Sequence, residues 1–296
     1  MSYNKPWPVN KIIKEALKED IGKGDITTQK FIPQDKFARA VLLAKEDCVV
    51  CGLEVARAVF KEQDKGIRFK PRVLEGRFVK KQTILAQISG KAGNILSAER
   101  VALNFFALLC GIATKTRAYV NAVKPYKVKI MDTRKTIPGL RELQKYAVKV
   151  GGGYNHRMRL DDMVLIKDNH LKVIGDRLRV VGLKGIRDKL PAQVKIEVEV
   201  ENLKEFKKAL KLKPDIIMLD NMSVKDMKKA VVLRNIRKPP ACPVGRHTGH
   251  RTPKLEASGG ITLKNIKKIA ATGVGMISIG ALTHSLESVD ISLEIL

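Results

Sequence analysis

The sequence predicts an α/β protein, and three observations predict it. Short apolar runs recur through the second half of the 296-residue chain, each closed by a polar residue and followed by a helical stretch. Strand, loop, helix, repeated six times or more, is the grammar of a parallel α/β structure. The first half instead carries strand-length alternating pieces punctuated by glycine, and at roughly 100 to 200 residues per domain the length suits two domains or a barrel with an appendage.

Taken in order, residues 11 to 20 read as a short amphipathic helix, followed by the loop from Gly22 to Thr28. From 36 to 95 the pieces ARAVLLAKE, GIRFKPRVLEG and FVKKQTILAQISG read as strands of a small sheet with helices on it. Apolar residues at helical spacing then run from Ile95 to about Val123, the hinge between two domains. Beyond it the strands are VKIMD at 128 to 132, MVLIK at 163 to 167, VKIEVEV at 194 to 200, DIIMLD at 215 to 220, LEAS at 255 to 258 and GMISIG at 275 to 280. No apolar run is read as reaching the ~20 residues of a membrane span. The charged N-terminal stretch lacks a signal-peptide core, so a cytoplasmic location is expected.

Composition narrows the function classes. With 44% hydrophobic residues the chain can build a core, which excludes a disordered basic tail. Lys and Arg number 57 against 30 Asp and Glu, a formal charge of +27. A nucleic-acid partner is disfavoured, because the basic residues are spread along amphipathic helices and aromatic residues are only 5%. A solvated basic surface, or a field that captures a small anionic substrate, fits better. Cys48 and Cys51 lie in an apolar run with no second pair and read as structural thiols, as does Cys110 in its helix. Cys242, His247 and His250 lack a fourth metal ligand.

A barrel gathers its chemistry at the C-terminal ends of its strands. Those ends hold Asp132 with Arg134 and Lys135, Lys167 with Asp168, Glu199, Asp220 with Asn221, Ser258 with Gly259 and Gly260, and Gly280. Arg134, Lys135, His156, Arg157 and Lys167 would converge there, and so many cations in one pocket call for a multiply charged anion. Glu197 and Glu199 alternate with valines, so they share one strand face and need cationic, hydroxyl or Mg²⁺ partners. Asp220 closes the next strand and could join Glu199. The glycine-rich turns at Ser258 to Gly260 and at Gly280 suit the approach of a phosphate to backbone N–H groups.

These residues stand in motifs that resemble the quinolinate phosphoribosyltransferase family: EDIGKGDITT, ILSAERVALNFFALLCGIAT, MDTRKTIPGLRELQKYAVKVGGGYNHRMRLDDMVLIKDNH, IEVEVENLKE, IMLDNMS, EASGGITLKNI and ISIGALTHSLESVDISLEI. The resemblance runs nearly end to end. It implies an incomplete parallel α/β barrel, residues 116–281, with an N-terminal mixed α/β sandwich domain, residues 1–115, joined by the C-terminal tail 282–296. It implies transfer of phosphoribose from phosphoribosyl pyrophosphate to quinolinate with decarboxylation, giving nicotinate mononucleotide, pyrophosphate and CO₂ in NAD biosynthesis.

By matching motif positions, Arg134, His156, Arg157 and Lys167 would line the quinolinate pocket. Arg100 would reach into it from the partner of a homodimer, a unit open to assembly into a higher oligomer. Lys135 would lie between the two substrates; it, Glu199 and Asp220 would serve catalysis and the sugar, the two acids also facing Mg²⁺. Ser258, Gly259 and Gly280 would meet the phosphate. The chain departs from the family pattern between Asn221 and Glu256, where KPPACPVGRHTGHRTPK resembles an insertion. It is expected as a surface loop on the barrel face opposite the site.

Overall fold

The structure is a computed structural model that describes residues 9–174, 183, 185–236 and 252–296. The insertion, with Cys242, His247 and His250, falls mainly in 237–251, outside the described residues. The chain divides into two units, one of Met1–Arg117, Thr136–Gly152 and Leu282–Leu296, the other of Ala118–Lys135 and Gly153–Ala281.

In the first unit, α1 (Val9–Ile21) and α2 (Ile26–Phe31) precede β1 (Phe37–Ala44), β2 (Cys48–Val49), α3 (Leu53–Gln63), β3 (Arg68–Pro71), β4 (Phe78–Val79) and β5 (Ile84–Lys91). Asp25 starts α2 by accepting from the Thr28 N–H at 2.9 Å, and Ser97 donates to its other oxygen at 3.0 Å. That bond ties the GKGDITT loop to the long helix α4 (Ala92–Ala122). Within the region from 36 to 95, the strands fall where apolar residues alternate, and β1 buries Ala40 through Ala44 in sequence.

Helix α4 has 31 residues and is long and apolar enough to cross a bilayer by length and composition, which corrects the sequence expectation that no run reaches that length. Most of its apolar window is buried, with Ile95, Ala98, Phe106, Leu109 and Ala113 in the core. Gly111 is required there: a Cβ would lie 1.9 Å from the Glu287 carbonyl oxygen.

Residues 136–152 group with this unit and not with the strands that flank them in sequence, so the continuous division at 115/116 does not follow the compact units. Helix α5 (Arg141–Val150) explains it: the Tyr146 hydroxyl donates to Glu75 Oε1 at 2.9 Å, and Arg117 Nε donates to the Gly151 carbonyl at 2.8 Å. The last strand, β12 (Ile291–Ile295), pairs antiparallel with β1, giving a sheet in the order β12-β1-β5-β3.

The second unit holds β6 (Lys129–Met131), β7 (Val164–Ile166), β8 (Ile196–Val200), β9 (Ile216–Asp220), β10 (Lys254–Ser258) and β11 (Met276–Ser278). All six sequence-predicted strands are present, within a residue or two of their expected bounds. The sheet order is β6-β11-β10-β9-β8-β7, and every pair is parallel. This is the chain order of a ring cut between β6 and β7, with the last strand pairing with the first. The fold is therefore an incomplete parallel α/β barrel, accompanied by the mixed α/β sheet unit.

Between the strands stand α6 (Asp168–Ile174), α7 (Leu203–Leu212), α8 (Val224–Ile236) and α9 (Ile266–Ala270). Asn202 caps α7 by accepting the Glu205 N–H at 2.9 Å, and Glu205 returns to accept the Glu201 N–H at 2.9 Å. Strand β8 ends at Val200 and β9 at Asp220, so Glu199 and Asp220 both stand at the rim.

Candidate active site

The sequence-predicted residues of the second unit gather at the ends of its strands, and the hydrogen bonds show how each is held. Strand β6 delivers Asp132, wholly buried, whose carboxylate accepts the His156 N–H at 2.9 Å and also the Asn155 side-chain amide. This one acid shapes the loop that follows Tyr154, which is itself joined to Met131 by a bridge. On the loop, Arg157 donates its N–H to His156 Nδ1 at 2.9 Å and its guanidinium Nη1 to the Met163 carbonyl at 3.0 Å. Burial holds the Arg157 guanidinium below the usual arginine range, with the nearby positive charge of Arg134 adding to it and Glu197 opposing it. A guanidinium whose charge is disfavoured by burial and by a second guanidinium nearby is suited to an anion.

Strand β7 ends at Lys167, whose Nζ lies 2.5 Å from Glu199 Oε2 of the adjacent strand β8. Glu199 Oε1 is left without a protein partner among the described residues. The same holds for Asp220, which accepts from Asn221 Nδ2 at 2.8 Å through one oxygen. Asn221 has φ +52°, and its side chain fills the space beside Gly259, where a Cβ would come within 2.2 Å of Asn221 Oδ1. Gly259, at φ +87°, thus meets both a conformational and a steric demand. Asn221 N–H also donates to the Ser258 carbonyl at 2.9 Å, so Asp220, Ser258 and Gly259 form one corner. Gly280 opens a short 3₁₀ turn (Gly280–Leu282) after β11. Lys135 is exposed at the end of the loop after β6, its N–H bonded to Thr133 Oγ1 at 3.1 Å. Arg100 belongs to the first unit and is exposed on α4.

Both glutamates of β8 do share a face, but their partners differ. Glu197 is fully buried and accepts from His156 Nε2 at 3.0 Å. A third acid, Glu256 on β10, is also fully buried, 3.5 Å from the same Nε2, and accepts from Ser278 Oγ at 2.5 Å. Burial, and then the neighbouring charge of Glu197, push the Glu256 carboxyl up from 4.5 to about 8. Glu256 and Ser278 went unread in the sequence. The one signal available was an acid inside the strand KLEAS, where a parallel strand buried on both faces should be apolar.

Glu199 and Asp220 suit a hard cation such as Mg²⁺: each is a half-buried carboxylate with one oxygen uncommitted among the described residues, at the ends of adjacent strands. His156, Glu197 and Glu256 also bring three ligand atoms within 4.8 Å of one another. His156 bonds Glu197 at 3.0 Å and stands 3.5 Å from Glu256, so the imidazole lies between the two acids.

The C-terminal domain of quinolinate phosphoribosyl transferase matches residues 112–294, and its N-terminal domain matches residues 25–110. A probable nicotinate-nucleotide pyrophosphorylase [carboxylating] of Methanocaldococcus jannaschii is 42% identical over 287 residues, covering 96% of each chain. The nicotinate-nucleotide pyrophosphorylase [carboxylating] of Mycobacterium leprae is 41% identical over 286 residues, covering 96% of this chain and 95% of that one. Among solved structures, the nicotinate-nucleotide pyrophosphorylase from Francisella tularensis superposes with a TM-score of 0.85 at 36% identity, covering 100% of this chain and 99% of that one. With both domains matched and relatives about 40% identical over nearly the whole chain, the chain belongs to the quinolinate phosphoribosyltransferase family.

Proposed function

We propose that the chain transfers phosphoribose from phosphoribosyl pyrophosphate to quinolinate and releases pyrophosphate and CO₂, giving nicotinate mononucleotide for NAD synthesis. The observation that carries this reading is the adjacency, at the ends of parallel strands, of a cationic socket (Arg134, Arg157, Lys167) and a carboxylate pair (Glu199, Asp220). A dianionic aromatic acid answers the first and a sugar cation the second.

In this reading Arg134, Arg157 and Lys167 hold the two carboxylates of quinolinate, with His156 beside Arg157. Arg100 of a second copy completes the socket in a homodimer, a role suited to its exposure on α4. Fixing the acid this way aims the ring nitrogen at ribose C1, an orientation effect. As pyrophosphate departs, C1 gains positive charge, and Glu199 and Asp220 hold the ring hydroxyls and offset that charge. Lys135 lies between the substrates, and the N–H groups around Ser258, Gly259 and Gly280 receive the 5′-phosphate. Glu199 and Asp220 would hold Mg²⁺, directly or through water, and the ion supplies neutralisation of the pyrophosphate charge. Once the nitrogen is alkylated, its positive charge stabilises the electron pair left on ring C2 as CO₂ departs, and a proton from water then bonds to C2, so no general base is assigned.

A cytoplasmic location goes with this reading, supported by the free thiols of Cys48, Cys51 and Cys110. The deciding assay follows pyrophosphate and CO₂ together with quinolinate supplied. Equal release is expected; pyrophosphate release with another pyridine acid, and none with quinolinate, would transfer the reading to a related phosphoribosyltransferase.

A further inference from the structure

Beneath the cationic socket lies a layer of buried groups that the phosphoribosyl transfer does not itself require. We propose that Glu197, supported by Glu256, is a positioning residue that fixes the tautomer and orientation of His156 and, through it, the placement of Arg157 for the substrate carboxylate. This rests on quinolinate being seated against Arg157.

The chain of contacts is continuous. Arg157 N–H donates to His156 Nδ1 at 2.9 Å, so Nδ1 must be unprotonated and the ring proton sits on Nε2. Nε2–H points at Glu197 Oε2, 3.0 Å away, with Glu256 Oε1 at 3.5 Å as the second acceptor. Ser278 Oγ donates to that Glu256 oxygen at 2.5 Å, which orients the second acceptor. Asp132 takes the His156 N–H at 2.9 Å. The imidazole is therefore held at both ring nitrogens and at its backbone, and its two nitrogens are spent inside the protein. Its service to an anion is to hold Arg157, whose other anchor is the Met163 carbonyl at 3.0 Å.

Burying two carboxylates in a barrel wall is costly unless they are bonded. Glu197 Oε1 and Glu256 Oε2 are buried with no hydrogen-bond partner among the described residues, so the layer sacrifices stability. That cost is expected where a side chain must be kept in one orientation, as for the outer acids that orient a metal-binding or catalytic histidine.

The test measures both Michaelis constants in Glu197→Ala, Glu197→Gln and Arg157→Ala. Glu197→Ala should raise the quinolinate KM about tenfold, within the range for loss of an orienting partner, and leave that for phosphoribosyl pyrophosphate unchanged. Glu197→Gln keeps a carbonyl oxygen to accept from Nε2–H and should restore most of the loss. An unchanged quinolinate KM in Glu197→Ala, an equal rise in both constants, or no rescue by Gln would overturn the proposal. If Arg157→Ala also has the wild-type quinolinate KM, the socket assignment fails instead. Because Glu197→Ala could fail to fold, ¹⁵N spectra of the wild-type protein give an independent reading, with His156 assigned by its loss in His156→Gln. A protonated Nε2 and a bare Nδ1 are expected, whereas the opposite tautomer or an imidazolium at neutral pH would overturn the proposal whatever the substrate.

Discussion

In the antiparallel sheet of the first unit no charged side chain is buried, and β1 sequesters only Ala40, Val41, Leu42, Leu43 and Ala44, whereas the parallel sheet of the second unit buries Glu197, Glu256 and Ser278 within its strands. The first sheet gains from burial at each such position, about 1.5–3 kcal/mol for a leucine. The second surrenders part of that gain to keep acids in a low-dielectric wall. Where a sheet departs from the apolar rule at several positions that touch one another, the departure marks a site.

Substitutions can break this comparison at either end. The largest effect is expected in the first sheet: Leu42→Ala should cost about 2–5 kcal/mol of stability, the range for emptying a core leucine, with Michaelis constants unchanged in chemical denaturation and steady-state assays. At the rim of the second sheet, Glu199→Ala or Asp220→Ala should lower kcat about 10²–10³-fold, as for loss of one group that stabilises transition-state charge. Arg134→Ala or Arg157→Ala should raise the quinolinate KM and lower kcat/KM by about 10- to 100-fold, from loss of charge-assisted hydrogen bonds. The melting temperature should scarcely move, and wild-type kinetics in both arginine variants would remove the pocket assignment.

The last effect is a pH dependence. Glu256 holds its proton up to about 8 in the folded chain, against an ordinary 4.5. The folded state therefore binds more protons than the unfolded one between those values, and the associated stability, complete below the lower value, is lost as pH rises through the upper. Melting temperature measured across that interval should fall more in the wild type than in Glu256→Gln. Equal slopes would mean that Glu256 is ionised throughout.

The contrast also shows what the sequence could reveal. All six barrel strands were legible, because each is a short apolar run ended by a polar residue, and Glu199, Asp220 and the Ser258 turn stand at those ends. Glu197 was legible as inward-facing from its alternation with Val198. Its partner was not: His156 lies about forty residues earlier, and only the loop held by Asp132 brings it beneath the strand. Glu256 was hidden because a single acid in KLEAS reads as a wet face until its burial is known. That helix α5 groups with the first unit was hidden for a similar reason. Its amphipathic pattern says that one side is covered, while the anchor is the pairing of Tyr146 with Glu75, far away in sequence.

The cut between β6 and β7 has a mechanical meaning. A ring laced on every side has its girth fixed by strand number and stagger, but here β6 does not pair with β7; it meets the loop before β7 through the bridge from Met131 to Tyr154 and through the bonds of Asp132 to Asn155 and His156. Asp132 and Arg134 stand on one lip and Lys167 on the other. At that edge Asp132 and the loop it holds, rather than a strand ladder, set the spacing of the lips. The spacing offered to a guest's two negative groups is therefore a property of side-chain bonds and not of the backbone ladder.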